Sequence, residues 1–158
     1  MNLMIDTFSW KKIDLLSQED LINLDLFYKW AQIYITHEVK KEIEHFGLDS
    51  CRINAITILP VKNKKYYKFA LDLGFDAADS EIFSNCSSTK EMTIVSEDKP
   101  LLKLLQSFKA RAIQVIDLFG IYYKLDLIKS KELIRINKYC RAKKNITDRK
   151  FKKINQYR

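Results

Sequence analysis

Thr93-Ile94-Val95-Ser96-Glu97-Asp98-Lys99-Pro100-Leu101-Leu102 is the stretch on which the reading of the fold turns. Thr93, Ile94 and Val95 are β-branched and favour a strand. Two acids follow at once, and Lys99 to Lys109 then reads as a helix. Pro100 is tolerated in its first turn, where a backbone N–H has no partner within the helix. Strand, acid and helix thus succeed one another with almost no loop. The chain opens in the same way, with the short apolar run Asn2 to Ile5 ending at Asp6. A run so short and so apolar reads as a buried strand.

The pattern continues between these two stretches. A helix is expected near Ser17 to Trp30, with Ser17 as N-cap, Glu19 and Asp20 in its first turn, and Leu21, Leu24, Phe27 and Tyr28 at helical spacing. Ile33-Tyr34-Ile35 reads as a strand, after which Thr36 caps a helix that carries Val39, Ile43 and Phe46 on one face and stops at Gly47. Arg52 to Leu59 reads as a strand ended by Pro60. Lys62 to Leu73 reads as a helix with Tyr66, Phe69, Ala70 and Leu73 inward and Gly74 as C-cap. Ala78 to Asn85 reads as a short helix opening at Asp79, and Ala112 to Ile116 as a strand. Helices follow from Asp117, over Ser130 to Lys143 and over Thr147 to Gln156. Strands alternating with helices predict an α/β fold around a mostly parallel sheet.

Composition narrows the function. With 158 residues, 47 % of them hydrophobic, the chain fits one domain with a single core. Only three Gly and two Pro are present, so short loops are expected. No apolar run approaches a membrane span, and the first residues lack the basic start of a signal peptide, so a cytoplasmic protein without a membrane partner is expected. Cys51, Cys86 and Cys140 are widely spaced and odd in number, which argues for reduced thiols rather than disulfides or zinc. His37 and His45 read as surface residues. Residues 129–158 hold twelve Lys or Arg and two acids, whereas residues 1–128 hold sixteen and eighteen. A basic segment beside a mildly acidic body is the electrostatic footprint of a nucleic-acid binder, although a solvated helical surface has the same composition.

The acids carry the chemistry. Asp6 ends one strand, and Glu97 and Asp98 follow another. In open parallel sheets, ligand sites form outside the carboxyl ends of strands, where such acids converge. Glu42 lies about two turns into the helix after a strand, and Asp79 opens a further helix. Carboxylates gathered in one cleft repel one another, and a hard divalent cation such as Mg²⁺ or Mn²⁺ resolves that conflict with oxygen ligands. No Ser/His/Asp or Cys/His arrangement and no Gly-rich phosphate loop competes. Each acid also has a plainer role open to it. Asp6 can start a turn, Glu42 can be a solvated helix residue, Asp79 can serve as a first-turn acid, and Asp98 can cap the helix at Lys99.

Four motifs in this order resemble the PIN domain, as found in VapC-type toxins. They are Leu3-Met4-Ile5-Asp6-Thr7, Thr36-His37-Glu38-Val39-Lys40-Lys41-Glu42-Ile43, Ala78-Asp79-Ser80-Glu81-Ile82, and Ile94-Val95-Ser96-Glu97-Asp98-Lys99-Pro100-Leu101-Leu102. The resemblance spans roughly residues 2–128. It implies a three-layer α/β fold and an endoribonuclease dependent on Mg²⁺ or Mn²⁺, with Asp6, Glu42, Asp79 and Asp98 as the catalytic and metal-holding acids and Thr7 supporting Asp6. It also implies an RNA substrate, an antitoxin partner across the cleft and a homodimer. Residues 1–128 form the PIN-like domain in this reading, and residues 129–158 a basic helical extension packed on it. The chain departs from the pattern at Phe8, where the family has a small or polar residue. Asp76 rivals Asp79, Glu81 and Glu97 are candidates for reaching the metal through water, and the stretch from Glu42 to Asp79 is short. Tyr122, Tyr123, Tyr139 and Phe151 are candidate base-stacking rings that helical spacing equally assigns to the core. Two other functions stay open at this point: a non-catalytic RNA-binding or scaffold module, and a housekeeping RNA-processing nuclease.

Overall fold

The computed structural model describes residues 1–86 and 91–156. Five parallel strands form one sheet in the order β3-β2-β1-β4-β5. They are β1 (Asn2–Ile5), β2 (Gln32–Thr36), β3 (Thr57–Leu59), β4 (Met92–Val95) and β5 (Arg111–Ile113). Parallel strands need crossover connections, and helices supply them. The helices are α1 (Thr7–Gln18), α2 (Leu24–Trp30), α3 (His37–Phe46), α4 (Lys64–Asp72), α5 (Ala77–Asn85), α6 (Lys99–Ser107), α7 (Val115–Lys124), α8 (Ser130–Ala142) and α9 (Asp148–Asn155). Leu3, Met4 and Ile5 are consecutive and all fully buried, so both faces of β1 are covered. The three-layer α/β fold expected from the sequence is the one observed.

Chain order places the site region. From β1 the chain moves outward through β2 to β3, then returns to add β4 and β5 on the other side. The gap between β1 and β4 is therefore the point where the strand order reverses, the place where open α/β sheets bind ligands. Ile5 stands level with Val95, so Asp6 and Ser96 leave the sheet side by side.

Several sequence expectations shift. The helix expected from Ser17 is two helices, and Ser17 lies in the last turn of α1 rather than at an N-cap. The α1 helix starts directly after Asp6 and ends where Asp20 turns left-handed, with φ 51°. Its stripe was hidden because Lys12 and Asp14 are buried beside Trp10, Ile13 and Leu16. The capping residue of α2 is Asn23, whose side chain accepts from the N–H of Leu26 at 3.1 Å. Arg52 to Leu59 is a 3-10 turn at Ile53–Ala55 followed by the short β3. Val115 and Ile116 belong to α7 rather than β5, because Gln114 and Asp117 form a capping box that ends the strand. On α4, Ala70 is buried and Tyr66 partly so, but Phe69 and Leu73 face outward. The N-cap of α5 is Asp76, three residues before Asp79.

Aromatic side chains make two packed groups. Trp10, Phe27, Tyr28, Trp30, Phe119 and Tyr122 join α1, α2 and α7, with neighbouring centroids 5.2–6.4 Å apart. Tyr66, Phe69, Phe83 and Phe108 join α4, α5 and the end of α6. Tyr122 is thus a core residue and offers no stacking surface. Leu133, Ile136 and Cys140 of α8 and Ile154 of α9 are also part of the core, so these basic helices bury an apolar face. Cys51, Cys86 and Cys140 are free thiols, and His37 and His45 are exposed. Among the described residues no helix is long and apolar enough to cross a membrane.

The Tyr122 hydroxyl is buried with no hydrogen-bond partner among the described residues. Burying an unpaired hydroxyl is unfavourable, so Tyr122→Phe is expected to raise unfolding stability by about 1 kcal/mol. Urea denaturation of the two proteins checks this, and a loss of stability would contradict it.

Candidate functional site

Each site acid is placed by the first turn or two of a helix that follows a strand or a tight turn. Asp6 leaves β1 and caps α1, its Oδ1 accepting from the N–H of Ser9 at 2.6 Å. Its Oδ2 accepts from the N–H of Glu97 at 3.3 Å, which ties the end of β1 to the end of β4. Asp98 caps α6 by accepting from the N–H of Leu101 at 2.6 Å, and its own N–H donates to the Ser96 hydroxyl at 3.0 Å. Asp76 caps α5 by accepting from the N–H of Asp79 at 2.9 Å, so Asp79 rides in the first turn. Glu42 lies on the second turn of α3 and accepts a hydrogen bond from the Thr7 hydroxyl. The resemblance gave Thr7 to Asp6, but its hydroxyl serves Glu42.

The convergence is direct on two sides. Asp76, Asp79 and Asp98 line one surface hollow with Leu73, Gly74, Phe75 and Pro100. Asp6 and Glu42 are linked through adjacent residues, because Thr7 follows Asp6 and bonds Glu42. Burial first, and then the charges of Asp76, Asp98, Asp6 and Glu42, together push the Asp79 carboxyl up to about 7. All four predicted acids, and the rival Asp76, therefore share one electrostatic neighbourhood. Asp6 is also raised, mainly by burial and in small part by Glu97, against hydrogen bonds from Ser96 and Ser9 that favour its charged form. Three helix N-termini face this region, and their partial positive ends favour the carboxylates that cap them.

Two expected auxiliary acids are engaged elsewhere. The Glu81 carboxylate accepts from the N–H of Glu38 at 2.9 Å and so caps α3. It takes the place of Thr36, whose hydroxyl is buried and makes no capping bond. Glu97 pairs with Lys12 at 2.7 Å and accepts from the N–H of Val115 at 2.9 Å, at the N-terminus of α7. Neither side chain is left free to approach a cation through water. Lys12 also reaches the Asn145 carbonyl at 3.5 Å, and Lys150 bonds Gln114 and Asp117. The turn before α9 and the first turn of α9 thus dock beside the same edge of the sheet as the acids.

Sequence reasoning missed Lys12, because a buried lysine in an apolar stripe resembles a break in it. It also passed over Lys62, Lys64, Lys65 and Lys68, a run without acids that puts positive charge on the acidic body. Lys64, Lys65 and Lys68 line an exposed hollow with Phe69 and Asp72. An all-carboxylate donor set suits a hard cation that prefers oxygen. Among the described residues, no three His, Cys, Asp or Glu side chains are already drawn into a metal-holding group. Asp76, Asp79 and Asp98 line an open hollow rather than a closed cage. Comparison with protein-family models, curated proteins and solved structures finds no match to the chain.

Two outcomes are expected of the metal-free protein. Between about pH 4 and 7 the folded state holds a proton at Asp79 that the unfolded chain has released. This contribution to stability is fully present below the unfolded pKa of 3.8 and is lost as pH rises through about 7. Urea midpoints across that range should fall with pH in the wild type and fall less in Asp79→Asn. At Asp98, Asn retains the cap and relieves repulsion, whereas Asp98→Ala removes the cap at a cost of about 1 kcal/mol. Equal stabilities for the two Asp98 variants would contradict the capping geometry.

Proposed function

We propose that the chain is a PIN-like endoribonuclease dependent on Mg²⁺ or Mn²⁺. The observation that supports this reading is that Asp6 and Asp98 follow the neighbouring ends of β1 and β4 at the reversal point of the parallel sheet, with both of them and Glu42 within electrostatic reach of Asp79. The motif resemblance and the donor chemistry support it. Asp6, Glu42, Asp79 and Asp98 would hold the ion. Such an ion supplies Lewis acidity and counter-charge for phosphodiester hydrolysis.

The chain's own groups set up the rest. The N–H groups of Ser9 and Glu97 orient Asp6, and Thr7 orients Glu42. Exposed Lys131, Arg135 and Lys138 of α8 and Arg149, Lys152 and Lys153 of α9 supply charge for flanking phosphates, and Lys64, Lys65 and Lys68 add a second basic surface on α4. RNA binding on this reading weakens steeply as salt rises. The resemblance extends the proposal to the toxin of a type II toxin–antitoxin pair acting in the cytoplasm, forming a homodimer and silenced by an antitoxin segment laid across the cleft.

One observation favours a second reading, a non-catalytic RNA-binding module. Asp6, Asp76 and Asp98 each cap a helix, a role that needs no cation. Incubation of the purified chain with structured RNAs in Mn²⁺, Mg²⁺ or EDTA separates the two. The nuclease reading expects cleavage with metal and a loss on the order of 100-fold or more in Asp6→Asn and Asp98→Asn. Asn is itself a good N-cap, so these variants keep their helices. Cleavage that persists in EDTA or in both variants overturns the metal site. Binding without cleavage in either metal selects the module.

A further inference from the structure

Phe8 and Phe46 are large apolar side chains left in solvent, 62 % and 49 % exposed. They belong to different helices and are joined by one cation. The Lys11 Nζ lies 3.2 Å from the Phe46 ring centroid and 5.0 Å from that of Phe8. The exposed His45 ring meets Phe46 edge-on at 5.1 Å. Single exposed phenylalanines are ordinary, but two rings and an ammonium gathered in one patch form a surface with its own chemistry.

Its position sets the patch apart. Phe8 directly follows Thr7, whose hydroxyl bonds Glu42. Phe46 stands four residues beyond Glu42 on α3, on the same helix face about 5–6 Å away at the Cβ level. Each ring therefore stands one step from the Thr7–Glu42 bond, Phe8 along the chain and Phe46 along α3. We propose that Phe8 and Phe46, with Lys11 between them, form a stacking platform for an unpaired base of the RNA strand, beside the phosphate that faces the acids. This rests on the nuclease reading and goes beyond it, by assigning to Phe8, Phe46 and Lys11 the seat of one base. A nucleotide carries both chemistries in one unit, a flat apolar base for the rings and an anionic phosphate for the ammonium. Bases paired within an RNA duplex are stacked on one another and cannot lie on such rings. Both rings lie outside the core.

The test measures binding apart from cleavage. The full chain carrying Asp98→Asn as a non-cleaving background is titrated into fluorescein-labelled single-stranded RNA and into duplex RNA of equal length. Replacing both Phe8 and Phe46 by Ala is expected to weaken single-strand binding by about tenfold or more and to leave duplex binding within about twofold. Phe8→Trp is expected to retain affinity. A 2-aminopurine in the single strand should lose fluorescence on binding with both rings present, and keep it in the double alanine variant. Both positions are exposed, so thermal unfolding of the variants should match the parent.

Unchanged single-strand affinity, or an equal loss on both RNAs, overturns the platform. Sedimentation that turns a dimer into a monomer when the rings are removed, with RNA affinity unchanged, assigns the patch to a second copy of the chain and also overturns it. Metal-dependent cleavage that is indifferent to the rings overturns the platform alone. A chain that binds no RNA overturns both the platform and the nuclease reading.

Discussion

The structure depends on β1 being enclosed on every side. It is hydrogen-bonded to β2 on one edge and to β4 on the other, and its three apolar residues are inaccessible to solvent. A strand so enclosed can leave the sheet only through its end, and here a helix begins at the next residue. The first N–H groups of that helix need an acceptor, and Asp6 provides it. The same demand recurs at Asp98 beside it and at Asp76 on α5. Backbone satisfaction therefore draws carboxylates to one edge of the sheet before any ligand is considered.

Electrostatics decides which of these acids are available. Glu97 and Glu81 are as near the cleft in sequence as the predicted site residues, but each is taken up by structure. Glu97 is neutralised by Lys12 and holds the start of α7. Glu81 holds the start of α3. Asp79 is driven toward its protonated form by burial and by four other acids among the described residues. A cation placed among them would relieve this repulsion, and the proposed divalent ion rests on that.

The basic C-terminal segment belongs to the same architecture. Its apolar residues complete the core against α7, and Lys150 and the Asn145 carbonyl tie it to Asp117, Gln114 and Lys12. Its exposed cations are therefore carried on a body that is fixed relative to the acids. Aromatic residues divide by the same physics. Tyr122 serves packing, whereas Phe8 and Phe46 remain exposed.

Local chemistry determined much from the sequence alone. Uninterrupted β-branched or apolar runs fixed β1, β2 and β4, and the alternation of elements fixed the parallel α/β class. Asp6 was legible because it directly follows a strand, and Asp98 because it stands in the short step from a strand to the helix at Lys99. Tertiary structure decided the rest. The α1 helix was obscured because its buried face includes Lys12 and Asp14, whose charges are tolerated only through partners supplied by Glu97 and Asn145 for the lysine and by Gln18 and Ser50 for the aspartate. The diversion of Glu81 and Glu97, and the sharing of Lys11 by Phe8 and Phe46 across α1 and α3, depend on contacts between distant segments. Periodicity and propensity register what a residue prefers in its own element, and these roles are set by what another element brings to it.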